Sequence, residues 1–85
     1  MATDDRLREQ LLKAIELARA GQWDGAHAIV QRLDHDPTAC WIHAVLHKIE
    51  GDAANARYWY REARVPPDLA RPPDDELASI AASLG

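Results

Sequence analysis

Two histidines one helical turn apart are the residues of this sequence best suited to bind a ligand. His43 and His47 are four positions apart, and a helix places residues at that spacing on one side. Cys40 and Glu50 fall on the same side and can add a thiolate or a carboxylate to a transition-metal site. The alternative is a structural or solvated role for both imidazoles, since the spacing also arises by chance and the sequence has no second Cys/His cluster. No cofactor is therefore expected, and these four residues are weak metal candidates.

The helix that follows extends this polar side. If the chain reverses at the next glycine, antiparallel pairing brings His47 near Asn55 and His43 near Trp59, with Tyr58 at the neighbouring edge. One interpretation is a network of hydrogen bonds that fixes the angle between the two helices. The other is a small polar-ligand pocket lined by His43, His47, Asn55, Tyr58 and Trp59.

Catalysis is not predicted. The sequence contains no nucleophile elbow, no glycine-rich phosphate loop and no HExxH motif, because Ala44 follows His43. Cys40, one turn before His43, is interpreted as a small packing residue rather than as half of a thiolate–imidazole pair. We therefore expect no catalytic residue and a protein that is not an enzyme.

Three arginines, Arg57, Arg61 and Arg64, form a basic stripe at helical spacing that suits an acidic peptide. The alternative is a solvated face that Glu62 or the acidic run 74–76 partly neutralises. Ten basic against 14 acidic residues give a net charge of −4, which disfavours nucleic acid and anionic membranes as partners. The expected partner is a protein segment or a second copy of the chain.

Length and composition predict an all-α fold in a single domain over residues 1–85. Of the 85 residues 47% are hydrophobic but only 6% are aromatic, so the core must come from closely spaced helices. No apolar run approaches the roughly 20 residues that cross a bilayer. The N-terminal sequence has no apolar stretch typical of a signal peptide, and the single cysteine cannot form an internal disulfide, so the cytoplasm is the expected location.

Apolar residues recurring every three or four positions, with glycine and proline breaks between them, predict five helices. Thr3 or Asp4 is the predicted N-cap of the first, and Asp52 that of the fourth. The fifth is expected to cover the open end of the structure. The predicted units are a first hairpin at 4–34 (helices 4–20 and 23–34), a second hairpin at 38–64 (helices 38–50 and 53–64), a proline-rich strap at 65–73 and a capping helix at 74–84.

The two hairpins are one unit repeated. A shift of 30 residues aligns Gly21 with Gly51 and Ala26 with Ala56. The run at residues 20–26, AGQWDGA, and its counterpart in the second unit resemble the tetratricopeptide helix-turn-helix, in which a glycine ends the first helix and an alanine packs the second. The resemblance implies a right-handed stack of helical pairs, although the period here is 30 instead of about 34 residues. The segment 43–60 also resembles a group of short uncharacterised proteins, which implies no activity.

Together these patterns predict a non-enzymatic helical module that mediates protein–protein interaction or self-association. Two stacked hairpins expose more apolar edge than one terminal helix covers, and their grooves suit a protein segment. The alternative function is a small-ligand or metal-binding module that uses the side bearing His43, His47, Asn55 and Tyr58. The three tryptophans are expected to pack where adjacent hairpins meet.

Overall fold

Five α-helices and their connections make up residues 5–85, the part of the chain that a computed structural model describes. These residues contain no strand, and the predicted all-α class is confirmed. The predicted N-cap at Thr3 or Asp4 lies outside the described residues. None of the helices within 5–85 has the length and apolar character needed to cross a membrane. The helices are α1 (Asp5–Arg19), α2 (Trp23–Gln31), α3 (Pro37–Ile49), α4 (Ala53–Ala63) and α5 (Pro73–Ser83).

The turns inside the two hairpins are closed by the same hydrogen bonds. Gly21 and Gly51 have φ angles of 81° and 84°, a left-handed conformation that glycine adopts without steric cost. In each turn the residue after the glycine donates its N–H to the carbonyl five positions earlier, at 2.8 Å in the first turn and 2.9 Å in the second. The 30-residue repeat seen in the sequence is therefore present in the backbone.

The start of α3 also sets the end of α2. Asp36 is extended, with φ −95° and ψ 125°, as expected for a residue before proline, and its carboxylate accepts the Ala39 N–H at 2.9 Å. Pro37 is the first residue of α3. The predicted end of α2 at residue 34 is wrong, because residues 32–36 form successive tight turns that lead into this cap.

α3 lies at the centre of the structure and contacts each of the other four helices. The fifth helix, predicted as a cap, reaches α4 through the hydrogen bond from the Tyr60 hydroxyl to Glu76 and packs against α1 and α3. The reason for this packing is its apolar face, since Leu77 and Ile80 are fully buried in the main core. The other members of that core with the lowest exposure are Ala14, Ala26, Val30, Ala39, Ile42, Val45 and Leu46.

One buried carboxylate ties α5 to the second hairpin. Glu76 is 2% exposed and accepts hydrogen bonds from the Trp41 indole at 2.8 Å and the Tyr60 hydroxyl at 2.8 Å. It also pairs with Lys48, whose ammonium group donates to two carbonyls of the strap at 2.8 and 2.9 Å. Burial, and then the nearby Glu76 carboxylate, raise the pKa of Tyr60, so its hydroxyl remains a donor.

We expect Glu76→Ala to lower the free energy of unfolding by about 3–5 kcal/mol, because it leaves the Lys48 charge buried without its partner. Glu76→Gln, which keeps the acceptor oxygen and loses the charge, should fall between Glu76→Ala and the unaltered protein. The matched control is Asp75→Ala, which removes the same charge from the neighbouring exposed residue. Urea unfolding followed by circular dichroism measures all three. Equal stability of Glu76→Ala and Asp75→Ala contradicts the prediction.

A candidate metal centre between the two hairpins

Three histidines from two helices meet where the hairpins pack together. His27 comes from α2, and His43 and His47 come from α3. One nitrogen from each ring lies within 4.8 Å of the other two. His43 and His47 are buried, at 4% and 8% exposure, whereas His27 is half-buried. We call this set the three-histidine cluster.

A tryptophan on α2 positions the first of these imidazoles. The Trp23 indole N–H donates to the carbonyl of Leu46 on α3 at 2.7 Å, which fixes the two helices against each other. The ring of Trp23 stacks on His27 with a centroid distance of 4.6 Å and an interplanar angle of 12°. Ala26, fully buried beside it, lets the helices approach closely. Trp23 thus joins the hairpins, as predicted, and also orients a ligand-capable ring.

A second tryptophan covers the opposite side of the cluster. Trp59 on α4 stacks on His43 at 3.9 Å and 11°, which confirms the predicted approach of these two residues. His47 also stacks on His43, with ring centroids 5.0 Å apart and an interplanar angle of 22°. Ala44 and Ala56, both fully buried, allow the close contact of α3 and α4. His43 is therefore enclosed by aromatic rings.

The third imidazole has a carboxylate partner. His47 Nδ1 lies 2.5 Å from Glu50 Oε1, across three positions of the chain at the end of α3. When Nδ1 donates its proton to this carboxylate, Nε2 keeps its lone pair. His47 can then act as a metal ligand through Nε2.

The electrostatics of the cluster favour the neutral form of two of its rings, His43 and His27. Burial, and to a lesser degree the neighbouring His27 and His47, lower the pKa of His43 to about 4. Burial and then His47 also lower the pKa of His27. His43 Nδ1 has no hydrogen-bond partner in the described chain, which is costly for a buried polar atom. The interpretation of the histidines as a complete hydrogen-bond network therefore fails at His43.

Several residues assigned to this site from the sequence lie elsewhere. Asn55 is exposed and donates its side-chain amide to Asp52 at 2.8 Å. Tyr58 is 45% exposed and meets the Trp59 ring at a centroid distance of 5.0 Å, and within residues 5–85 no ring contact joins Tyr58 to the three-histidine cluster. Cys40 is buried and its thiol donates to a backbone carbonyl at 3.3 Å. Burial, followed by nearby carboxylates, raises the pKa of Cys40, so it remains a thiol outside the cluster.

The basic stripe is exposed along α4 and its end. The Arg61 guanidinium lies 5.8 Å from the Tyr58 ring centroid, and Arg64 ends the helix in a left-handed conformation with φ 61°. Within residues 5–85, no ion pair involves Arg57, Arg61 or Arg64. The three arginines therefore lie on a solvent-exposed face, as one of the two interpretations has it, and neither Glu62 nor the run 74–76 forms an ion pair with them in the described part of the chain.

His27 was not predicted from the sequence as a member of this site. The helical wheel of α3 and its hairpin partner α4 do not include it, because His27 belongs to the other hairpin. The available signal was its position four residues after Trp23 and directly after the packing alanine of the repeat, Ala26. Those neighbours place His27 at the edge of the face that packs on α3.

The spacing of the three rings suits one metal ion. With metal–nitrogen bonds of about 2.0–2.1 Å in a tetrahedral site, imidazole centroids lie about 5 Å apart. The centroid distances are 4.8 Å for His27–His43, 5.0 Å for His43–His47 and 5.6 Å for His27–His47. A shared ion would draw together three nitrogens that now lie within 4.8 Å of one another.

Comparisons with known proteins supply no relative for this chain. No protein family, curated protein or solved structure matches it. The tetratricopeptide resemblance therefore stays a prediction. Function has to be argued from the geometry of the site.

We expect the free energy of unfolding to fall as the pH is lowered from 6.5 towards about 4. In that range the imidazole of His43 takes up a proton in the unfolded chain but not in the folded protein. Its contribution to the free energy of unfolding is therefore fully present above pH 6.5 and declines below that pH. For this one group the slope is at most about 1.4 kcal/mol per pH unit. Urea unfolding across this range measures the slope for the unaltered protein, His43→Asn and the control His35→Asn at an exposed position.

His43→Asn should have the shallower slope because its side chain does not titrate there. His35→Asn should match the unaltered protein. An unchanged slope in His43→Asn contradicts the expectation.

Proposed function

We propose that this protein is a helical module that binds a divalent transition metal ion. Zinc is the ion with which the proposal is tested. The observation that carries the proposal is the approach of three imidazole nitrogens, from His27, His43 and His47, to within 4.8 Å of one another. Imidazole is a preferred ligand of zinc, copper and nickel. The packing of α2 on α3 does not by itself require three imidazoles to meet.

The state of the rings supports metal binding. Neutral imidazoles are the form that ligates a metal, and burial lowers the pKa of His43 to about 4, well below neutral pH. The unpartnered Nδ1 of His43 argues against a purely structural network. Three protein ligands leave one tetrahedral position for water or an external ligand. Glu50 and Asp52 form a second potential ligand group with His47 on the more exposed side.

A metal bound here also links the two hairpins. His27 belongs to the first hairpin, whereas His43 and His47 belong to the second. Binding to the folded form alone shifts the folding equilibrium by mass action. The proposed module is therefore stabilised by the ion that it binds.

We expect the unaltered protein to bind one zinc ion and to unfold at a higher temperature when zinc is present. His27→Ala should weaken zinc binding by at least about tenfold, because it removes a ligand from the half-buried edge of the site. His43→Ala and His47→Ala should do the same. Isothermal titration calorimetry gives the stoichiometry and affinity, and circular dichroism establishes that each variant is folded.

The matched control is His35→Ala, since His35 is an exposed histidine outside the cluster. It should bind zinc as the unaltered protein does. Zinc binding that is equally strong in His27→Ala and in the unaltered protein overturns the proposed site, as does a lack of zinc binding by the unaltered protein.

Self-association through α4 is a second proposed function, supported by an exposed aromatic residue. Tyr58 is 45% exposed, with Arg57 and Arg61 exposed beside it. Tyrosine and arginine are enriched at protein interfaces. A second copy offers the exposed carboxylates of Asp74 and Asp75 as partners for these arginines.

We expect a concentration-dependent dimer in size-exclusion chromatography with light scattering. The double variant Tyr58→Ala and Arg61→Ala should shift the protein to monomer, because it removes the aromatic contact and a charge. Arg32→Ala, at an exposed position outside α4, is the control and should dimerise normally. A protein that is monomeric at every concentration contradicts self-association without affecting the metal proposal.

A further inference from the structure

One carboxylate is joined directly to a ring nitrogen of the three-histidine cluster within residues 5–85. Glu50 Oε1 lies 2.5 Å from His47 Nδ1, and no other carboxylate of these residues is hydrogen-bonded to the cluster. The Glu50 side chain is 41% exposed and that of His47 is 11% exposed. The contact thus lies at the border between the buried rings and solvent.

The backbone of Glu50 continues the last turn of α3. Glu50 is the C-cap of α3, with φ −82° and ψ −1°, and its N–H donates to the carbonyl of Leu46 at 3.2 Å. Gly51 follows in the left-handed conformation and closes the turn. His47 and Glu50 therefore lie three positions apart on one helical turn, which places their side chains within reach of each other.

The nearby Asp52 has a different role. Its carboxylate accepts the Asn55 N–H at 3.1 Å and the Asn55 amide at 2.8 Å, and it caps α4. These hydrogen bonds lower the pKa of Asp52. Glu50 is thus the carboxylate of this turn that is available to His47.

We propose that Glu50 is a positioning residue of the metal site. It accepts the Nδ1–H of His47 and so fixes the tautomer in which Nε2 presents its lone pair to the metal. A carboxylate behind a ligating imidazole also raises the basicity of that ligand and holds its ring in one orientation. The inference rests on the proposed metal-binding function and places Glu50 outside the set of direct ligands.

Zinc titration of three variants tests this role. Glu50→Ala should weaken zinc binding by about 10- to 100-fold, the usual range for loss of such a partner. Glu50→Gln, which keeps an acceptor oxygen for the Nδ1–H, should fall between Glu50→Ala and the unaltered protein. The control Glu62→Ala removes the same charge from an exposed position on α4 and should leave the affinity unchanged.

X-ray absorption of the zinc-loaded proteins separates positioning from direct ligation. We expect three imidazoles around zinc both in the unaltered protein and in Glu50→Ala. Loss of an oxygen ligand in Glu50→Ala makes Glu50 a direct ligand and overturns the inference. Circular dichroism at the titration temperature should show metal-free Glu50→Ala to be as fully folded as Glu62→Ala; an unfolded Glu50→Ala makes the role structural and also overturns the inference.

The two proposals fail in distinguishable ways. If the unaltered protein binds no zinc, the metal site and the role of Glu50 are both wrong. If it binds zinc and Glu50→Ala binds equally well, the metal site stands and only the role of Glu50 is wrong.

Discussion

A helix that is covered on all sides has to find partners for its polar groups inside the protein, and this constraint acts on α3. The helix contacts all four of the others, and most of it is buried. Trp41 and Lys48 find their partner in Glu76 of α5, and His47 finds Glu50. The placement of α5, the path of the strap and the turn after α3 all supply these partners. The buried Nδ1 of His43 is the group for which they supply none.

The two polar regions of α3 consequently have different properties. In the first region the Glu76 carboxylate accepts from every donor that faces it, namely the Trp41 indole, the Tyr60 hydroxyl and the Lys48 ammonium group. The ring of His43 packs against the His27 imidazole of α2 and the Trp59 indole of α4. Its neighbours are therefore rings, among them a second imidazole. A divalent ion held by three neutral imidazoles retains its full charge, and Glu50 and Asp24, which both act electrostatically on His27, partly offset it. The first region ties α5 to the second hairpin, whereas the second is the site proposed to bind a metal.

The sequence was informative wherever a signal is local. Gly21 and Gly51 have the left-handed turns expected of them, and Asp52 caps α4, because each depends on a few neighbouring residues. The approach of His43 and Trp59 followed from one antiparallel pairing. The position of α5 and the contribution of His27 depend on packing between distant segments, which the periodicity of a single helix does not encode. The wheel of α3 therefore identified two of the three histidines.

The buried ammonium group of Lys48 has a consequence for any fragment of this chain that lacks α5. Its side chain is 7% exposed, yet its carboxylate partner Glu76 lies 28 residues further along the chain, after the strap. Without that carboxylate, an ammonium group in the same place is a buried and uncompensated charge, so Lys48 has to turn towards water. A truncation before α5 therefore changes the packing of α3 as well as removing the last helix.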